Sequence, residues 1–205
     1  MHSEIFDKHQ QELLPYLKNF QRTFYLVGGT AIALHLGHRR SIDFDLFTNS
    51  TLTKYRIKSK LNLFPFKQIP IFEDVDQLHL HINNVKLTFF NFPYDIKHQV
   101  KLDSIITMPT LLTLSSMKAF ALGRRSKWKD YVDLYFILKD HFSIKEICSE
   151  AEVNFPSQFS EKLFREQLAF HKDIDHSEQI EFLVPEVSEN EIKEFLIDKA
   201  TDLDF

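Results

Sequence analysis

"YLVGGTAIALHLGHRRSIDFDLF", residues 25–47, decides how the rest of this chain is read. An apolar run meets Gly28-Gly29, a second runs from Thr30 to Gly37, and then Ile42, Phe44 and Leu46 alternate with Ser41, Asp43 and Asp45. A period of two makes the last segment a strand with one polar face. Asp43 and Asp45 therefore point the same way, about 7 Å apart. Bare carboxylates so placed repel one another and resist desolvation, and a bound cation is the natural compensation. The preceding residues read as a buried strand, a glycine turn and a helix from Thr30 that stops at Gly37. Two of the four glycines in the chain stand side by side at 28 and 29, which points to a positive φ or to close approach of a ligand to the backbone.

Strand, Gly-Gly, helix and an Asp-x-Asp strand form an arrangement for phosphate and metal. Backbone N–H groups at Gly28 and Gly29, the positive end of the helix and the Thr30 hydroxyl suit a phosphate. The two aspartates can hold one Mg²⁺ or bridge two, and phosphoryl or nucleotidyl transfer is the matching reaction class. Singly, Asp-x-Asp is common on solvent-facing strands and Gly-Gly is a turn; their combination in this order carries the reading.

With 205 residues, 43% hydrophobic and 26% charged, the chain can bury one sizeable core, with or without a helical extension. No apolar run approaches the roughly 20 residues that span a bilayer. The first residues, "MHSEIFDKHQQELL", lack an apolar h-region, so the expected location is cytoplasmic. The single cysteine, Cys148, agrees with a reducing compartment and reads as a small apolar residue. A net charge of −4 gives no global attraction to nucleic acid. Any RNA contact must be local, and Arg124, Arg125, Lys127 and Lys129 around Trp128 suit a backbone with one stacked base, or else a solvated connection between helices.

Along the chain a first helix over 3–20 is interrupted at Pro15. A helix over 51–62, a strand at 69–72 and a hairpin turning at Asn83-Asn84 follow. Beyond Pro93 the pattern is helical: 109–123, 127–139, 143–151, about 158–171 and 188–199, with capping boxes at Ser143/Glu146 and Ser188/Glu191. An α+β core over 1–100 and a helical region over 101–205 are expected, with a boundary soft enough for a single domain. On a helical wheel Lys118 and Arg125 fall among Leu111, Leu114, Ala121 and Leu122, where a lysine either snorkels to the edge or has an anionic partner. Nucleotide phosphate is one candidate; Asp130 and Asp133, which share a helix face, are the structural alternative. His79 and His81 read as polar-face residues of the hairpin, and His35 and His38 as residues at a helix end.

"GGTAIALHLGHRRSIDFDLF" with "MKAFALGRRSKWKDYVDLYFIL" resembles the AbiEii/AbiGii-type toxin family of minimal nucleotidyltransferases, found in bacterial abortive-infection and toxin–antitoxin systems. Lys118, Ala121 and Arg125 match its Lys-x-x-Ala-x-x-x-Arg helix, and Lys129, Asp130, Asp133 and Leu134 its Lys-Asp-x-x-Asp-Leu helix. The resemblance covers about residues 24–139. It implies a nucleotidyltransferase fold, with a small mixed β-sheet flanked by helices and a helical C-terminal half. It also implies Mg²⁺-dependent transfer of a nucleoside monophosphate from an NTP to RNA, such as tRNA, or to protein, and a cognate antitoxin as partner. On this reading Asp43 and Asp45 hold Mg²⁺, while Gly28, Gly29, Thr30, Ser41, Arg39 and Arg125 contact the nucleotide. Lys118 offsets negative charge in the transition state, and Asp130 deprotonates or orients the acceptor hydroxyl. Two departures stand out: Gly29 occupies a place where many nucleotidyltransferases carry serine, and "VKLTFF" offers Lys86 and Thr88 where a third carboxylate is usual. The alternative is a catalytically inactive nucleotide- or RNA-binding protein that retains the fold.

Overall fold

The computed structural model of this chain describes residues 1–122 and 124–202. Its first elements are a 3₁₀ turn, Ser3–Ile5, helix α1 (Lys8–Leu13) and a 3₁₀ stretch, Leu14–Phe20. Pro15 sits in the first turn of that stretch, where its missing N–H removes no hydrogen bond. Asp7 and Gln10 cap α1 reciprocally.

Residues 25–47 fold as β1 (Tyr25–Val27), α2 (Gly28–Leu36) and β2 (Phe44–Thr48). The helix begins at the double glycine itself, two residues before the expected Thr30, and ends at Gly37 in the left-handed conformation, φ 67°. The strand, conversely, begins later than the alternation suggests. Residues 38–40 pair with a distant segment instead: Arg40 N–H donates to Glu181 O (2.9 Å) and Leu183 N–H to His38 O (3.0 Å). That pairing leaves Ile42 outside the sheet and 57% exposed.

Helix α3 (Lys54–Leu61) precedes β3 (Gln68–Asp74), β4 (Gln77–Ile82) and β5 (Val85–Asn91). Asn83 and Asn84 take φ of 53° and 63°, the two left-handed residues that a tight hairpin turn between β4 and β5 requires. The five strands form one mixed sheet in the order β1-β2-β5-β4-β3, with β2 parallel to β5 and the other pairs antiparallel. A second hairpin, β6 (Val100–Leu102) with β7 (Ile106–Met108), lies in the stretch where no strand is expected.

The helical half comprises α4 (Leu111–Leu122), α5 (Trp128–Asp140), α6 (Ile144–Asn154), α7 (Glu161–Ala169) and α8 (Glu189–Thr201). The last residue of the helix expected over 109–123 lies outside the described residues. Ser143 and Glu146 form the full capping box on α6. Ser188 accepts from Glu191 N–H, but the Glu191 carboxylate turns away to accept from Tyr135 OH at 2.7 Å, so that cap is one-sided.

A continuous set of buried apolar residues runs from Ile5 to Ala200 and joins sheet to helices. Phenylalanine supplies much of it: Phe20 and Phe24 meet Phe89 edge-on, and Phe120 stacks on Phe155 with centroids 4.0 Å apart. Helix α2 lies between β1 and the pair α4 and α5. Gly28 at its start borders the same cleft as Asp45 of β2 and Lys118 of α4. Among the described residues no helix is long and apolar enough to cross a membrane.

Candidate active site

Four acidic residues named from the sequence separate into two kinds. Asp130 and Asp133, one turn apart on α5, have no exposed surface and are saturated with partners. Asp133 receives a two-pronged bond from the Arg39 guanidinium (2.7 and 2.9 Å), a contact from His38 Nε2 at 2.8 Å and the Lys118 ammonium at 3.0 Å. Asp130 accepts from Lys118 Nζ at 2.7 Å and from Arg125 at 2.9 and 3.3 Å. Burial alone would raise both carboxyls; for Asp133, Arg39 and Lys118 overcome it and hold the group well below its usual range, and for Asp130, Lys118 and Arg125 do the same. Both anionic partners that the sequence left open for Lys118 are thus present within the fold. Three cations face two carboxylates, with His38 kept neutral chiefly by burial.

Asp43 and Asp45 are the opposite case. Both are half-buried, and among the described residues neither carboxylate makes a hydrogen bond or an ion pair. The Asp43 carboxyl is pushed up by burial first and by the Asp45 charge second. Asp45 on β2 and Asp43 just before it are like charges without a hydrogen-bonding or ion-pair partner among the described residues, and hard carboxylate oxygens of this kind fit a divalent ion such as Mg²⁺.

Each glycine at the start of α2 has its own constraint. Gly28 holds φ 75°, and a Cβ there would overlap Asp45 Oδ2 and come within 3.2 Å of its Cγ. A Cβ on Gly29 would lie 2.7 Å from Arg39 Nη2 and 3.1 Å from Ser41 Oγ. A side chain at either position would thus collide with the protein's own side chains. Val27 offers no side-chain cap, so the first N–H groups of α2 have no capping side chain. Thr30 behaves differently from the expectation of a hydroxyl free for phosphate: it is buried, and its Oγ1 donates to the Asp43 carbonyl and lies 3.0 Å from Ser41 Oγ. It ties the helix to the run-in of β2.

Two clefts flank the acidic pair. One, of about 540 Å³, is bordered by the polar residues Gly28, Asp45, Thr88, Lys118 and Arg125 and by the aromatic residues Phe90, Phe92, Tyr94 and Phe120. The other, of about 590 Å³, is bordered by Asp43, Arg39, Ser41 and Lys129, and by residues 178–181. Asp130 borders neither and reaches the first only through Lys118 and Arg125. Arg39 and Ser41 border the Asp43 cleft while their side chains pack against Gly29. Residues 178–181, which no motif flagged, wall the second cleft; Glu178 accepts from both Lys127 and Lys129, and nearby Asp175 pairs through its backbone with Ser126 and Trp128. The cationic run around Trp128 is therefore partly neutralised within the chain. His79 lies in the first cleft and bonds Gln77 at 3.1 Å. No group of three or more His, Cys, Asp or Glu placed to hold a metal occurs among the described residues.

Over residues 16–205 the chain matches the family model described as nucleotidyl transferase AbiEii toxin, type IV TA system. The chain belongs to this family. The match extends through residues 140–205, beyond the motifs that carry the resemblance in sequence, and includes the segment that walls the Asp43 cleft. The fold agrees. The nucleotidyltransferase toxin MenT4 of Mycobacterium tuberculosis superimposes with a TM-score of 0.61 at 15% identity, over 95% of this chain and 82% of that one. JHP933 of Helicobacter pylori superimposes with a TM-score of 0.53 at 17% identity, over 94% and 88%. In sequence, the uncharacterized protein aq_aa25 of Aquifex aeolicus (strain VF5) is 30% identical over 129 residues, which are 60% of this chain and 62% of that protein. The chain thus matches less than two thirds of that relative's length.

Proposed function

We propose that this protein transfers a nucleoside monophosphate from an NTP to an acceptor hydroxyl, on RNA such as tRNA or on protein, as the toxin of a toxin–antitoxin pair. One observation carries the reading: an unpartnered carboxylate, an uncapped helix N-terminus and a buried lysine, Asp45, Gly28 and Lys118, border a single cleft. Mg²⁺, held by Asp43 and Asp45, would neutralise charge on the triphosphate. The first N–H groups of α2 face the phosphates. Lys118, fixed by two carboxylates, offsets charge that develops as the bond to pyrophosphate breaks, at no cost of reorganisation. Arg125, half exposed at the rim, adds a second cation. The aromatic residues bordering the cleft take the base. Asp43 opens to the other cleft, from which the acceptor approaches. Asp130, its oxygens occupied and its carboxyl lowered, acts through Lys118 in place of direct contact with the acceptor hydroxyl. Asp133 and Arg39 hold that lysine from behind.

On this reading the reaction runs in the cytoplasm, where NTPs and RNA are available, and the family description, a type IV TA system, supports an antitoxin as partner. Incubation with each α-labelled NTP, Mg²⁺ and total RNA or protein extract tests the reading. Label transfer that Asp43→Ala and Asp45→Ala abolish is expected. Tight nucleotide binding with no transfer to either acceptor class would establish the inactive binding protein instead, the reading favoured by Lys86 and Thr88 standing where an acid is usual.

A further inference from the structure

Thr88 carries a polar group with no partner at the centre of the site. It lies on β5 directly opposite Asp45 on β2 and opposite His79 on β4. Paired residues on adjacent strands project to the same face, so Asp45, Thr88 and His79 form one row, and all three border the Gly28–Lys118 cleft. Thr88 is 7% exposed, and its Oγ1 is buried without any hydrogen-bond partner. A buried hydroxyl left unpaired destabilises a fold, and valine has the same shape without that cost. Threonine at this position therefore implies a partner that arrives from outside.

We infer that the Thr88 hydroxyl is a nucleotide-positioning group, donating its hydrogen bond to an oxygen of the metal-bound triphosphate in the Asp45 cleft. The inference rests on the nucleotidyl-transfer reading and adds a specific consequence to it. With a neutral hydroxyl where a third acid could stand, Asp43 and Asp45 alone offset a divalent ion. The site then takes the metal as its triphosphate complex far better than the metal by itself. The neighbouring charges agree: Lys86 borders the same cleft, so an incoming anion is matched and a bare cation is not.

Three variants test this with readouts that need no turnover. Unliganded Thr88→Val should unfold roughly 2–4 °C above wild type, because it removes an unpaired buried hydroxyl. The same variant should bind Mg²⁺ complexes of methylene-bridged, non-transferable NTP analogues about ten- to a hundredfold more weakly, as calorimetry would show, since hydrogen bonds to charged groups are the strong ones. Thr88→Ser keeps the hydroxyl and should retain affinity even if its lost methyl lowers stability. Thr88→Asp should bind Mn²⁺ in the absence of nucleotide more tightly than wild type does. Equal nucleotide affinity in wild type and Thr88→Val would overturn the inference and leave the proposed function standing. Failure of the wild-type protein to bind any of the four analogues would overturn the proposed function, and this inference with it.

Discussion

Replacing Asp133 by asparagine should unfold this protein far more readily, whereas the same change at Asp45 should not. Asp133 is fully buried and receives Arg39 at 2.7 and 2.9 Å, Lys118 at 3.0 Å and His38 at 2.8 Å. Asparagine keeps the shape but leaves the guanidinium and ammonium uncompensated away from water. Breaking a buried pair by removing one partner costs about 3–5 kcal/mol, a large part of the roughly 5–15 kcal/mol that holds a domain together. For a chain of this length each kcal/mol moves the midpoint by about 2–4 °C, so Asp133→Asn should melt roughly 6–20 °C below wild type. The pH dependence has a definite sign. Because the folded carboxyl is held well below its usual range, its contribution is present above the unfolded value of about 3.9 and is lost as pH falls below it. The gap between wild type and variant should accordingly close in acid. Asp45 makes no ion pair and lies beside Asp43, so Asp45→Asn should melt at or above the wild-type temperature while abolishing label transfer. Calorimetric scans of both variants from pH 7 to pH 3 make the measurement. An Asp133→Asn midpoint within about 2 °C of wild type at pH 7 would refute the assignment of Asp133 to the structural ion-pair network.

Gly28→Ala imposes a positive φ on a residue with a Cβ, at about 1–2 kcal/mol, and drives that Cβ into Asp45 Oδ2. A carboxylate displaced by about 1 Å should lower transfer on the order of a hundredfold with modest loss of stability, and an unchanged transfer rate would contradict the role given to Asp45. Glu178, drawn down to about 2 by Lys127 and Lys129 against the effect of burial, is 40% exposed. At low salt its contribution is therefore held to about 0.5–1 kcal/mol. That contribution is present above the ordinary glutamate value and lost as pH falls toward 2. Glu178→Gln should thus melt slightly below wild type at pH 7 in low salt and match it in high salt or near pH 2, and a difference that ignores both variables would rule out the ion pairs.

What residues 25–47 and the hairpin at 83–84 become was legible because local interactions decide it. Alternation marked the strand that carries Asp45, though the strand starts at Phe44 and leaves Asp43 just before it, two asparagines supplied the left-handed turn, and Ser143 with Glu146 marked a helix start three residues apart. The lysine helix and the helix bearing Asp130 and Asp133 were legible as motifs for the same reason. Their chemistry was less so. Asp130 reads in sequence as a group for the acceptor hydroxyl, yet tertiary packing surrounds it with Lys118 and Arg125. The Thr30 hydroxyl reads as a phosphate donor, yet the approach of β2 engages it. Short three-residue strands at 100–108 carry too little periodicity to be seen, and Ile42 follows the alternation into a strand that pairing with residues 181–183 keeps from extending so far.

The sequence by itself determined the acidic strand, the glycine-led helix, the cationic helix and the family they belong to, because each is set by spacings of a few residues. Only the tertiary structure decided which of the four acids are satisfied by ion pairs and which, among the described residues, have none. That depends on Arg39 and His38 meeting Asp133 across 94 and 95 positions of chain, and on β5 bringing Thr88 beside Asp45. Such pairings follow from the burial of shared apolar faces rather than from any local signal, so no window of residues contains them.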